Sequence, residues 1–221
     1  AMGYLTLSTN TTSVANTAYG YKALLVNTTG ANNTAIGQCA MKTATTGAHS
    51  TAVGSDSLQA QTTGHENVAV GKQAMYGTTT GDYTVGIGVE ALKSHTTGSQ
   101  TVAVGFCSMD TNTIGADNTA VGNDSLRSNT EGLNNVAVGK NALVANTTGD
   151  ANTAVGCNAL GANTTANNNV AIGAFALDTN TEGEKNTAVG NSALTANTTG
   201  DQNTAVGFES FKANTTGEHN V

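Results

Sequence analysis

The sequence predicts an all-β fold: a β-solenoid (parallel β-roll) of about thirteen 17-residue coils, assembled as a parallel homotrimer. Three observations predict it. A glycine closing an A-V-G phrase falls at Gly20, Gly37, Gly54, Gly71, Gly88, Gly105, Gly122, Gly139, Gly156, Gly173, Gly190 and Gly207, every interval being 17 residues. A second glycine column keeps the same interval from Gly30 to Gly217, broken only at Ala166. The composition is 4% aromatic and 10% charged with no Pro or Trp, which fits neither an ordinary core nor a charged disordered chain. Fixed-period arrays of this kind stack, each unit resting on its neighbours.

The repeat reads N-T-A-V-G-x-x-A-L-x-A-N-T-T-G-x-x, in phase from Gly3 to the C-terminus, so residues 1–221 form a single repeat array. N-T-A-V-G is rich in β-branched residues between turn formers and reads as a short strand. A-L-x-A-N-T-T reads as a weaker second strand, because Ala and Asn are poor strand formers. The glycines and the x-x pairs turn the corners, where Gly and Asn tolerate positive φ. A unit of this length cut by two glycines has no room for a pair of helices, and its apolar residues lack the 3-4-7 spacing. The opening AMG looks like the scar of a tag and the chain stops part-way through a repeat, which reads as a fragment of a longer protein.

Down the columns, valines such as Val53, Val104 and Val189 and leucines such as Leu58, Leu143 and Leu194 are expected to face each other inside the coil. Alternation along the strand then points the alanines outward. Ala35, Ala52, Ala69, Ala103, Ala120, Ala137, Ala154, Ala171, Ala188 and Ala205 become the expected oligomer interface, joined by Ala159, Ala176, Ala193 and Ser210 from the column before each leucine. Such small side chains suit the close approach of another chain.

The net charge of −7 and eight scattered Lys and Arg give no basic stripe for nucleic acid. No run of about 18 apolar residues exists to insert in a membrane. Cys39, Cys107 and Cys157 are odd in number and lack metal-ligand spacing. No catalytic constellation stands out from the repeat, so the chain reads as non-enzymatic, without catalytic, metal or cofactor residues. His49 and His65, near Glu66, are the one pair of histidines that stacking brings close, and solvated corners are their default reading.

The phrases "NTAIGQCAM", "NTAVGCNALGANTT" and "NTAVGNSALTANTTG" resemble repeats of trimeric phage and virus tail-fibre proteins, and "NTAVGxxAL" also resembles the head repeats of YadA-type trimeric autotransporter adhesins. The resemblance covers essentially the whole chain. It implies an extracellular, homotrimeric fibre on a virion or cell surface, acting as spacer or as contact for a host-surface glycan or protein.

A threonine column is the most uniform of all: Thr28, Thr45, Thr62, Thr79, Thr96, Thr113, Thr130, Thr147, Thr164, Thr181, Thr198 and Thr215. Ranked threonines permit an alternative function, ice binding. The plainer expectation is that each hydroxyl bonds turn backbone beside the corner glycine. N-T-T triplets such as Asn146-Thr147-Thr148 match a glycosylation acceptor. Tyr21, Phe106, Phe175 and Phe208 in the x-x columns read as isolated surface aromatics, with weak lateral contact as the other possibility.

Overall fold

A computed structural model describes all 221 residues. The chain is all-β and contains no helix. Its contacts divide it into two compact units, Ala1–Ile114 and Gly115–Val221. The first unit carries β1 (Thr17–Tyr19), β2 (Thr34–Ile36), β3 (Thr51–Val53), β4 (Val68–Val70), β5 (Val85–Ile87) and β6 (Val102–Val104). The second carries β7 (Thr119–Val121), β8 (Val136–Val138), β9 (Thr153–Val155), β10 (Val170–Ile172), β11 (Thr187–Val189) and β12 (Thr204–Val206). In each unit the strands pair in parallel and in sequence order, with 17-residue register: Ala35 lies beside Ala52, and Ala154 beside Ala171. Like residues therefore stack on like, which is what a fixed repeat without insertions dictates.

Each coil has one strand, not two. The A-L-x-A segment is a run of turns, and its leucine or methionine adopts φ near +50°, as at Leu58 (50°), Leu160 (51°) and Leu194 (51°). Two further positions per coil are left-handed, seen at Ser192 (56°) and Gln202 (56°). The A-V-G glycines sit at φ of 127–145°, and a Cβ on Gly156 would come within 2.5 Å of the Gly173 carbonyl oxygen in the next coil. Left-handed corners close a coil that uses only three residues of regular strand.

The facing of the strands is the reverse of the expectation. The alanine column is the core: Ala35, Ala52, Ala69, Ala103, Ala120, Ala137, Ala154, Ala171 and Ala188 are 0% exposed and Ala205 is 4% exposed. Alanines preceding the leucines, among them Ala159, Ala176 and Ala193, are also buried, and Ser210 is half-buried. None of these can serve as the oligomer interface. The cause is the narrowness of the coil: its interior is filled by the leucine or methionine of the turn, leaving room opposite only for a methyl group. At Gly86 a Cβ would lie 2.6 Å from Met75 Cγ, so the methionine has moved into the space that the methyl fills at Ala52 and Ala120, which follow Met41 and Met109 at the same interval. The valines are thus turned outward together with the threonines or valines two residues before them.

Two inward polar columns flank this core. In the first, the asparagine that opens most strands (Ser50, Thr84 and Thr101 stand there before β3, β5 and β6) accepts from the main chain above it and donates to the corner: Asn152 Oδ1 accepts from Asn169 N at 3.0 Å, and Asn152 Nδ2 donates to Ala166 O at 2.8 Å. In the second, Asn146, Asn163, Asn180, Asn197 and their equivalents donate Nδ2 to the carbonyl three residues on. Most also donate to the amide oxygen one coil below, as from Asn163 to Asn146 (2.8 Å). Buried amides this numerous are tolerated because nearly all their hydrogen-bonding groups are paired.

Candidate interaction face

The strands present two outward columns. In the first unit one column runs Thr34, Thr51, Val68, Val85, Val102 and the other Ile36, Val53, Val70, Ile87, Val104, all half-buried or exposed. The second unit repeats the pattern with Thr119, Val136, Thr153, Val170, Thr187 and Val121, Val138, Val155, Ile172, Val189. Ile36 is 39% and Ile172 41% exposed, large values for side chains in the middle of a stack. No Lys, Arg, Asp or Glu interrupts either column. The face is apolar and regular, because strands about 4.8 Å apart carry β-branched side chains two residues apart. Sequence reasoning missed it by assigning these valines to the core. The available signal was the alternation of Thr with Val two residues before the A-V-G valine, a mixture that suits a half-exposed site.

The uniform threonine column lies elsewhere on the coil and is half-buried over most of its length. Its hydroxyls bond backbone, though across coils: Thr28 Oγ1 donates to Thr45 O (3.0 Å), Thr96 to Thr113 O (2.9 Å) and Thr198 to Thr215 O (3.1 Å). With the hydroxyl hydrogens directed into the stack, the side chains work as ties between coils. The next threonines, Thr29, Thr46, Thr63, Thr80 and Thr97, are the exposed ones.

The N-T-T asparagines Asn27, Asn146, Asn163 and Asn197 are 0% exposed, with their amides in the interior network, so a folded coil does not offer them for glycosylation. His65 Nδ1 accepts from Ala48 N at 3.1 Å, which occupies one ring nitrogen of the His49 and His65 pair. Tyr21 stacks on Tyr4 at 5.7 Å, so it is not isolated. Phe106, Phe175 and Phe208 are 53%, 40% and 75% exposed.

One donor cluster was missed by sequence reasoning, although two of its members share a column one repeat apart; the third lies three residues further along the upper coil. Glu90, Cys107 and Asp110 offer a thiol and two carboxylates whose ligand atoms lie within 4.8 Å of one another. Its groups are already engaged: Cys107 Sγ lies 3.9 Å from Glu90 Oε2, and Lys93 Nζ is 3.4 Å from the same carboxylate oxygen. Burial also pushes the Asp178 carboxyl up, in the second unit. No helix is long and apolar enough to cross a membrane.

Comparison with protein-family models, with curated proteins and with solved structures found no match to this chain. The class defined by fold and face is therefore a parallel β-solenoid with an uncovered apolar strand face.

Proposed function

We propose that the chain is a structural or adhesive fibre segment, the shaft or head of a homotrimeric tail fibre or surface adhesin, with copies meeting on the strand face. The observation that carries this reading is the apolar double column of Thr/Val and Val/Ile, repeated in every complete coil of each unit. Exposed apolar surface of that continuity marks an interaction site. A second copy of the chain supplies a face of the same period, so every coil finds an equivalent coil opposite. The number three follows from the likeness of N-T-A-V-G-x-x-A-L to repeats of trimeric fibres. In this reading the protein works by geometry on an extracellular surface: stacked coils hold a contact region for a host glycan or protein at a set place.

Light scattering on the purified protein tests it. The expected mass is about three times the 22.0 kDa chain. Val70→Lys combined with Val155→Lys is expected to give monomers with an unchanged β circular-dichroism spectrum, since both side chains lie outside the coil. A wild-type mass of one chain at micromolar concentration removes the fibre reading. If that monomer also shows thermal hysteresis, ice binding takes the place of the fibre reading, carried by exposed threonines such as Thr29, Thr46 and Thr63 and not by the tied column from Thr28 to Thr215.

A further inference from the structure

We propose that His95 is an acid-sensitive weak point built into the first unit, where gain of a proton by its ring opens the coil that carries it. His95 takes the place of an asparagine in an inward column and is 0% exposed. Its Nε2 lies 2.7 Å from the Gly98 carbonyl, the same three-residue bond that the asparagines make. A carbonyl only accepts, so Nε2 carries the ring hydrogen. Nδ1 faces Asn112 Nδ2 at 2.8 Å and is the acceptor for that amide. The neutral ring thus satisfies both neighbours.

A second proton has to go to Nδ1, where a donor already points at it. The hydrogen bond becomes a contact between two N–H groups in a site without water access. Asn112 would have to turn its amide over, withdrawing its NH2 from the ring.

No charge compensates. The column neighbours are Thr78 below and Asn112 above. Among the other titratable groups of these coils, Asp82, Glu90, Lys93 and Asp110 are half-buried at outward positions, Lys72, Tyr76, Tyr83 and Asp117 are exposed, and only Cys107 is buried. None of them enters the balance at the ring: burial lowers its proton affinity and the Gly98 carbonyl offsets part of that.

The sign follows. The folded ring binds a proton less readily than the unfolded one, whose pKa is about 6.5. Below that pH an opened coil takes up a proton that the closed coil refuses, so stability falls as pH falls. For one proton, the opening constant rises by up to about tenfold per pH unit, until the closed ring itself titrates. The second unit holds asparagine at every such position from Asn129 to Asn214 and lacks this device.

Hydrogen exchange on the whole protein between pH 7.5 and 5 tests the proposal. Backbone amides of the coils around His95 are expected to open more at low pH in wild type than in His95→Asn, compared at equal pH. His95→Gln is the second variant, since Gln61 in the same column already makes this bond to Gly64 O. Ring 15N shifts of the wild type need no variant, and are expected to keep the neutral Nε2–H pattern well below pH 6.5. Equal pH slopes in wild type and either folded variant, or a ring that titrates near 6.5 in the folded protein, would overturn it.

Discussion

Ala166 places a methyl group where the repeat keeps glycine, and its effect is visible one coil away. At the equivalent Gly183 a Cβ would lie 2.5 Å from Asn180 Oδ1 and 2.9 Å from Asn197 Nδ2, between two amides that are hydrogen-bonded at 2.8 Å. Beside Ala166 that bond is missing: Asn180 Nδ2 donates only to Gly183 O, and Asn163 Oδ1 is buried without a partner. Leaving such an acceptor unsatisfied costs about 1–3 kcal/mol. Glycine in its place makes the unfolded chain freer, costing about 0.4–1 kcal/mol. The first effect is larger, so Ala166→Gly is expected to raise stability by about 1 kcal/mol, read as a higher denaturant midpoint with an unchanged slope. A lower midpoint would show that the methyl's burial outweighs the lost amide bond. Asn27 Oδ1 is orphaned by a related accident, since Ala44 stands where the next amide belongs. The leucines show a different balance. A left-handed backbone costs about 1–2 kcal/mol, and burying the side chain returns about 1.5–3 kcal/mol, so Leu160 and its equivalents accept the strained corner for the sake of the core.

At the scale of the element, a three-residue strand has one central side chain and two flanking ones, and only two facings are possible. Period-two alternation was legible in T-A-V, as was the grouping of Thr153 with Val155 on one side and Ala154 on the other. Which side faces in was not legible. The usual preference of large apolar residues for the interior pointed the wrong way, because the space inside is set by turns whose left-handed leucines leave no trace in propensity. Substitutions test the observed facing. Ala154→Val is expected to destabilise the fold by about 1–3 kcal/mol through overpacking. Val155→Thr, on the outer side, is expected to leave coil stability within about 0.5 kcal/mol. Thermal unfolding of the two variants would show the reverse order if the alanines faced out. The second strand expected from A-L-x-A-N-T-T failed for a related reason: Ala and Asn are weak strand formers, and here they serve the turn and the interior amide column.

At the scale of the whole molecule, period, parallel pairing and coil order were readable in the residues, because uninterrupted 17-residue columns allow only in-register stacking. The division at Ile114 and Gly115 was not, since the repeat runs through it without insertion. The one change of phrase there, Ile114 for the second threonine of N-T-T-G, has counterparts at Glu131 and Glu182 where no division falls. The apolar face was hidden by the same error of facing, and the site at His95 by the burial of a column that reads as polar. In-register stacking makes a prediction about length. Deleting residues 136–152, one whole repeat, joins Asn135 to Thr153 and leaves every column continuous. Circular dichroism and resistance to proteolysis are expected to stay close to wild type. Deleting 136–151 is one residue short and moves every later side chain to the opposite face of its strand, so loss of the fold is expected. Equal behaviour of the two deletions would count against in-register columns as the source of order.

The Asn-Thr-Ala-Val-Gly phrase also matters one level below the protein. A gene that spells nearly the same words every seventeen codons invites unequal crossing-over, and each product of such an exchange is again a set of complete columns. Mutation can therefore lengthen or shorten this protein in finished pieces. A slip of a single codon, by contrast, meets the full cost of a turned-over strand.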